Sequence, residues 1–211
     1  MARAFSSGRR AEIVEVLAQG ERSVDDLAAA IEQTVANTSH HLRALARSGL
    51  VTTRRDGTRV YYTLASERVS ELWAALREVA ADHIAGLDHL ADAYLGDRST
   101  VAVIPRSELA RRLGDTDIVV LDVRPRVEYD AGHIAGAESI PVDQLPGRVR
   151  SLRGDAEVVA YCRGPYCVYA DDAVRLLRRR GSRARRLEDG FPEWRRAGLP
   201  VEGPGRAEEG G

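Results

Sequence analysis

The hydrophobic positions of this chain change period along its length, and the changes mark its elements. Over residues 9–19, Ala11, Ile13, Val14, Val16 and Leu17 recur at mainly helical spacing, which predicts an amphipathic helix. Ser23-Val24-Asp25-Asp26 has the form of a capping box and predicts a short second helix through Leu27, Ala30 and Ile31. A third helix is expected over about 35–48, closed by Gly49 in the left-handed conformation. The period then falls to two. Val51-Thr52-Thr53-Arg54-Arg55 and Arg59-Val60-Tyr61-Tyr62-Thr63-Leu64 flank an Asp56-Gly57 turn, the signal of a β-hairpin.

Helical spacing returns over residues 67–95, where Val69, Leu72, Trp73, Leu76, Val79, Ala80, His83, Ile84, Leu87, Leu90, Ala91 and Tyr94 form a nearly unbroken stripe. One continuous helix of that length would run about 43 Å. The small domain before it cannot cover such a stripe, so a second copy of the chain is expected to, giving a homodimer through helix 67–95. Gly96-Asp97-Arg98-Ser99-Thr100 reads as a linker. Beyond it strands and helices alternate: Ile118–Val123 and Val158–Tyr161 are apolar runs suited to buried strands, and a helix is expected near 168–180. That alternation predicts an α/β sheet with its site at the strand C-terminal ends.

The fold class expected is therefore two domains. A mainly-α winged helix-turn-helix over 1–96 and a linker over 97–102 precede an α/β domain with a parallel sheet over 103–202. A polar, Gly-rich tail over 203–211 is expected to be disordered.

Composition narrows the classes. No stretch of the 211 residues approaches the ~20 apolar residues of a membrane span. The first residues lack the apolar core of a signal peptide, so a cytoplasmic location and no membrane partner are expected. All 31 basic residues are arginine. Net charge is near zero, yet residues 37–62 hold five arginines against Asp56 alone, and residues 63–98 hold three against seven acids. One polyanion-facing surface is implied.

Both cysteines lie in Cys162-Arg163-Gly164-Pro165-Tyr166-Cys167, after an apolar run and before a helical pattern. In a tight Gly/Pro loop opening into a helix, successive backbone N–H groups and the helix N-terminus favour thiolate over thiol. Cys162 is thus expected to be a low-pKa nucleophile. Cys-x5-Arg loops hold tetrahedral oxyanions with their arginine, but Val168 stands at that position here, which disfavours phosphatase chemistry.

Two resemblances follow. Thr38-Ser39-His40-His41-Leu42-Arg43-Ala44-Leu45, Gly49-Leu50-Val51 and the wing Arg54–Tyr62 resemble the ArsR family of bacterial repressors across residues 9–95. The resemblance implies a double-stranded DNA operator as partner. Asn37, Ser39, His40, Arg43 and Arg47 would face the major groove, with His41 either near DNA or packed, and Arg54, Arg55 and Arg59 would reach phosphates or the minor groove. Many members sense metals through Cys-x-Cys, but Ser23-Val24-Asp25 stands there. No metal ligands and no cofactor are expected.

Residues 103–202 resemble a rhodanese, a sulfur-transfer domain, in Leu121-Asp122-Val123-Arg124, Gly132-His133-Ile134, Ser139-Ile140-Pro141 and Asp189-Gly190-Phe191-Pro192-Glu193-Trp194. The resemblance implies that Cys162 forms a persulfide from a small sulfane-sulfur donor and passes it to a thiol acceptor. Gly164, Pro165 and Tyr166 shape the loop, and Arg163 either draws in anionic donors or is a surface cation. Asp122, Arg124 and His133 are expected to be structural. Cys167 is open between a hydrogen-bonding neighbour and a resolving thiol. The function expected is a transcriptional regulator, in repressor form, responsive to sulfane sulfur. A sulfurtransferase with an autoregulatory DNA-binding domain and a metal-responsive repressor are the alternatives.

Overall fold

The computed structural model describes residues 2–84, 93–96, 98–152 and 155–203. The chain divides into two compact units, Met1–Leu87 and Asp88–Gly211.

In the first unit the helices are α1 (Gly8–Leu17), α2 (Val24–Ala30), α3 (Val35–Arg47) and α4 (Glu67–His83). The capping box forms as the sequence predicts. Asp26 N–H donates to Ser23 Oγ (3.2 Å) and Ser23 N–H to Asp26 Oδ2 (3.3 Å), pairing two N–H groups that a helix start otherwise leaves open. Thr34 caps α3 by accepting from Asn37 N–H (3.2 Å), and Gly49 ends it at φ +69°. Strands β2 (Val51–Asp56) and β3 (Arg59–Leu64) pair from Val51↔Leu64 to Asp56↔Arg59. The tip is therefore Gly57-Thr58, one residue later than the Asp56-Gly57 turn expected, with Gly57 at φ +58°. A two-residue strand, β1 (Arg22–Ser23), adds to β3; it is too short to show a period.

Ile13, Val14, Leu17, Leu27, Leu42, Leu45, Leu50 and Val69 form one core, each such side chain contributing about 2 kcal/mol when fully buried. Helix α4 sends Val69 and Ala74 inward and leaves Leu72, Leu76 and Val79 exposed. The helix expected over 67–95 ends early. His83 is its last residue, and Ile84 turns to extended backbone (ψ 104°). The stripe positions Leu87, Leu90 and Ala91, and residues 204–211 of the expected tail, lie outside the described residues.

In the second unit, β4 (Val103–Ile104), β5 (Ile118–Asp122), β7 (Glu138–Ser139), β8 (Glu157–Cys162) and β9 (Ala184–Gly190) form a parallel sheet in the order β4-β9-β8-β5-β7. Strands β6 (His133–Ile134) and β10 (Val201–Glu202) pair separately. The helices are α5 (Arg106–Arg112), α6 (Arg126–Ala131), α7 (Leu145–Arg148), α8 (Val168–Arg179) and α9 (Phe191–Arg196). Strands β5 and β8 are apolar without alternation because both faces of the sheet are covered there. Val119, Leu121, Val158, Ala160 and Cys162 face Ala170, Ala173, Val174 and Leu177 of α8. Ile118, Val120, Val159 and Tyr161 face the side of Leu109, Phe191 and Trp194.

Candidate functional sites: an arginine-bearing helix and wing, and a cysteine loop

The amphipathic pattern of α3 buries Thr38, Leu42 and Leu45 and turns the opposite face outward. Asn37, His40, Arg43 and Arg47 are exposed, and Ser39 is half-buried at the edge of that face. His41 is half-buried; its buried Nδ1 meets no hydrogen-bond partner among the described residues. Burial first, then the neighbouring His40, Arg10 and Arg9, hold its pKa below the usual histidine value. His41 thus favours the neutral form.

On the wing Arg54, Arg55 and Arg59 are all exposed, but they are not equivalent. Arg54 donates through Nη2 and Nε to the two carboxylate oxygens of Glu21 (2.7 and 3.1 Å) and lies over the Tyr61 ring (4.8 Å). Nothing local pairs the two residues, which stand 33 positions apart.

Cys162 is the last residue of β8 and is 2% exposed. Beside it β9 accommodates two extra residues: the register runs Ala160↔Arg186 and then Cys162↔Gly190. Such a bulge redirects the strand end and the side chains there. A Cβ on Gly190 would collide with the backbone of Arg163 and Gly164, so only glycine lets β9 lie against the loop. Cys167 N–H donates to Gly164 carbonyl (3.2 Å) and closes the loop into a turn. Cys167 is the N-cap residue of α8. Pro165 is half-buried and Tyr166 exposed. The sulfurs of Cys162 and Cys167 are joined in a disulfide, with their Cα atoms 6.3 Å apart.

Arg163 is half-buried and ion-paired. Its Nη2 and Nε donate to Oε1 of the buried Glu128 on α6 (2.6 and 3.0 Å). This ion pair holds the residue after Cys162 against α6. Glu128 and Arg163 stand 35 positions apart, and nothing local in the sequence pairs them.

Behind the loop, Asp122 accepts from Arg124 Nη2 (2.6 Å), Arg124 N–H (2.9 Å) and the Tyr161 hydroxyl (2.5 Å), all buried. Arg124 Nη2 also donates to Gly132 carbonyl (2.7 Å), and Tyr161 oxygen accepts from Ile134 N–H (3.1 Å). Burial first, then Asp122, push the Tyr161 phenol well above its usual pKa, so it remains the proton donor. This satisfied network ties β5, β6 and β8 together. His133 stacks on Tyr129 at 3.6 Å and its Nδ1–H donates to Tyr129 carbonyl (2.9 Å). Asp122, Arg124 and His133 have structural surroundings.

Residues 7–53 match the family described as bacterial regulatory protein, arsR family, and residues 105–197 match the rhodanese-like domain. The HTH-type transcriptional regulator Rv0324 of Mycobacterium tuberculosis is 47% identical over 200 residues, covering 95% of this chain and 88% of that protein. A sulfurtransferase of Allochromatium vinosum is 33% identical over 102 residues, 48% of this chain and 94% of that one. A solution structure titled as the homodimeric winged helix-turn-helix DNA-binding domain of a possible ArsR-family regulator from Mycobacterium bovis is 43% identical. It covers 39% of this chain and 77% of that chain, with a TM-score of 0.38. Among the described residues no helix is long and apolar enough to cross a membrane. The chain belongs to the ArsR-type transcriptional regulators, in the form whose winged helix-turn-helix is followed by a rhodanese domain.

Proposed function

We propose that this regulator is a cytoplasmic homodimer that represses at a double-stranded DNA operator and is controlled by sulfane sulfur through Cys162. One observation carries the reading: the chain's two cysteines share one loop at the C-terminal edge of the parallel sheet. The DNA-binding half has no thiol, so a thiol-borne signal has to enter at this loop. The site residues proposed are Cys162 as nucleophile and Arg163, Gly164, Pro165, Tyr166 and Cys167 as its loop. Asn37, Ser39, His40, Arg43, Arg47, Arg55 and Arg59 are proposed to meet DNA, with Arg54 once it leaves Glu21 and His41 as support from within.

In the reduced protein the Cys162 thiolate attacks the outer sulfur of a donor such as thiosulfate. The new Cys162–S–S⁻ takes that sulfur and the donor's S–S bond breaks, with sulfite as leaving group. An external thiol can then remove the outer sulfur, which is the sulfurtransferase reaction. The helix N-terminus beginning at Val168 supports an anion on this loop. Dimerisation is proposed through α4, whose Leu72, Leu76 and Val79 form an exposed apolar row at i, i+4 and i+7.

The test measures operator binding by the full-length reduced protein before and after sulfane-sulfur treatment, in wild type and Cys162→Ser. Release in the wild type alone is the expected result. Binding that ignores sulfur while thiosulfate turnover proceeds would favour a sulfurtransferase whose DNA-binding half serves autoregulation.

A further inference from the structure

We propose that Cys167 is an internal acceptor that discharges the Cys162 persulfide as hydrosulfide, leaving the intraloop disulfide as the end state of signalling. This deepens the function proposed above and rests on it, because Cys162 must first take up sulfur.

The geometry supports an internal acceptor in three ways. The two sulfurs are already bonded in the structure, with a Cα separation of 6.3 Å that lies within the range ordinary disulfides span. No movement of β8 or α8 beyond the observed arrangement is needed to join them. Cys167, half-buried, stands across the same turn from Cys162 and is a thiol already in place beside its sulfur. Finally, Cys167 caps α8 without any side-chain cap hydrogen bond. Its sulfur is therefore not committed to holding the helix start.

The two acceptors attack different atoms. An external thiol takes the outer sulfur and returns Cys162 to a thiolate. Cys167 attacks the inner sulfur, the one belonging to Cys162. The Cys162–Cys167 bond forms, the inner–outer S–S bond breaks, and the outer sulfur leaves with its electron pair. The balance is Cys162–S–S⁻ plus Cys167–SH giving the disulfide plus HS⁻. The sulfane sulfur is reduced to sulfide and the two cysteine sulfurs are oxidised by the same two electrons, so no oxidant is required. A cellular thiol reductant resets the loop by thiol–disulfide exchange. A persulfide that any acceptor can empty is thereby converted into a covalent state that persists until reduced.

The experiment uses full-length protein, reduced and freed of reductant, mixed with excess thiosulfate and no added thiol. Intact mass and released hydrosulfide are followed together. Wild type is expected to release stoichiometric hydrosulfide and to end two hydrogens lighter. Cys167→Ser and Cys167→Ala are both expected to gain the mass of one sulfur and to release none until an external thiol is supplied. Agreement of the two variants separates loss of the thiol from a serine hydrogen bond. A wild type that keeps the added sulfur without releasing hydrosulfide overturns the internal acceptor while sparing sulfur loading at Cys162. If the folded Cys167 variants take up no sulfur either, the loading reaction itself falls and this inference with it.

Discussion

Arg98 holds Asp171 across 73 positions of sequence: Nε lies 2.8 Å from Oδ2 and Nη2 donates to Oδ1 (3.3 Å). Asp171 is fully buried in the first turn of α8, the helix that begins where the cysteine loop ends, and Nε of Arg186 on β9 also approaches Oδ1 at 3.0 Å. The same helix grips the incoming chain twice more, Arg175 Nη2 donating to Leu95 carbonyl (3.1 Å) and Arg178 Nη1 to Thr100 carbonyl (2.8 Å). Residues expected to be a plain linker are thus strapped to the helix behind Cys167. Asp171→Ala would leave two guanidiniums facing each other with no carboxylate between them. The expected cost is about 3–5 kcal/mol for an uncompensated buried charge, read by urea denaturation. Asp172→Ala, one residue on but exposed, should change stability by no more than about 0.5 kcal/mol. Equal losses in the two variants would contradict this account.

Gly190→Ala tests how closely β9 supports the loop. The added methyl meets the backbone of Arg163 and Gly164, which cannot rotate away as a flexible side chain would. Overpacking of this kind costs about 1–3 kcal/mol. The larger effect should fall on the chemistry, because displacing a reactive group by about 1 Å costs on the order of 100-fold in rate. Sulfur loading of the folded variant, measured by intact mass over time, should therefore slow far more than its stability drops. Loading at the wild-type rate would show that the loop tolerates the shift.

The parts legible in sequence were those fixed by local pattern. The capping box at Ser23, the Gly49 stop, the hairpin of β2 and β3 and the apolar runs of β5 and β8 each depend on neighbours within a few residues. Cys162 was legible for the same reason, as a strand end, turn and helix start follow in order. What escaped were pairings made by topology. Glu128 with Arg163, Glu21 with Arg54, and Asp171 with Arg98 and Arg186 join residues 33 to 73 positions apart, except for Arg186, which lies on the strand after α8. With every cation an arginine, composition gives no hint which are committed to an internal carboxylate. The end of α4 at His83 was missed for another reason: the apolar spacing continues past it, and periodicity does not report the extended backbone at Ile84.

Glu157 should give the sheet a measurable acid dependence. At the start of β8 it accepts from Arg112 Nη1 (2.6 Å) and from Arg185 Nε and Nη2. Burial pushes its carboxyl up, but the hydrogen bonds and charges of Arg185 and Arg112 outweigh that and leave its pKa below the usual value. A carboxyl depressed in the folded state contributes stability that is present above its unfolded pKa and lost as pH falls through the folded one. The stability gap between wild type and Glu157→Gln should therefore be full at neutral pH. It should begin to close near pH ~4.3 and vanish below the folded pKa. Urea melts across that range provide the check; a gap that widens toward acid would reverse the sign and refute the account.

The wing arginines should separate in a salt titration. Arg55 is exposed and forms no ion pair among the described residues, so it is free to meet a phosphate. Arg54 already spends its guanidinium on both oxygens of Glu21, and moving it to DNA means giving up that pair. Each phosphate contact contributes about 0.9 to the slope of log affinity against log salt. Arg55→Ala should lower the slope by about that much per bound chain. Arg54→Ala should lower it by distinctly less, and Glu21→Gln should tighten binding by releasing Arg54. Fluorescence anisotropy with a duplex of arbitrary sequence, between about 50 and 200 mM salt, measures all three. Equal slope losses for the two arginines, with no gain from Glu21→Gln, would mean that Glu21 does not hold Arg54 in solution.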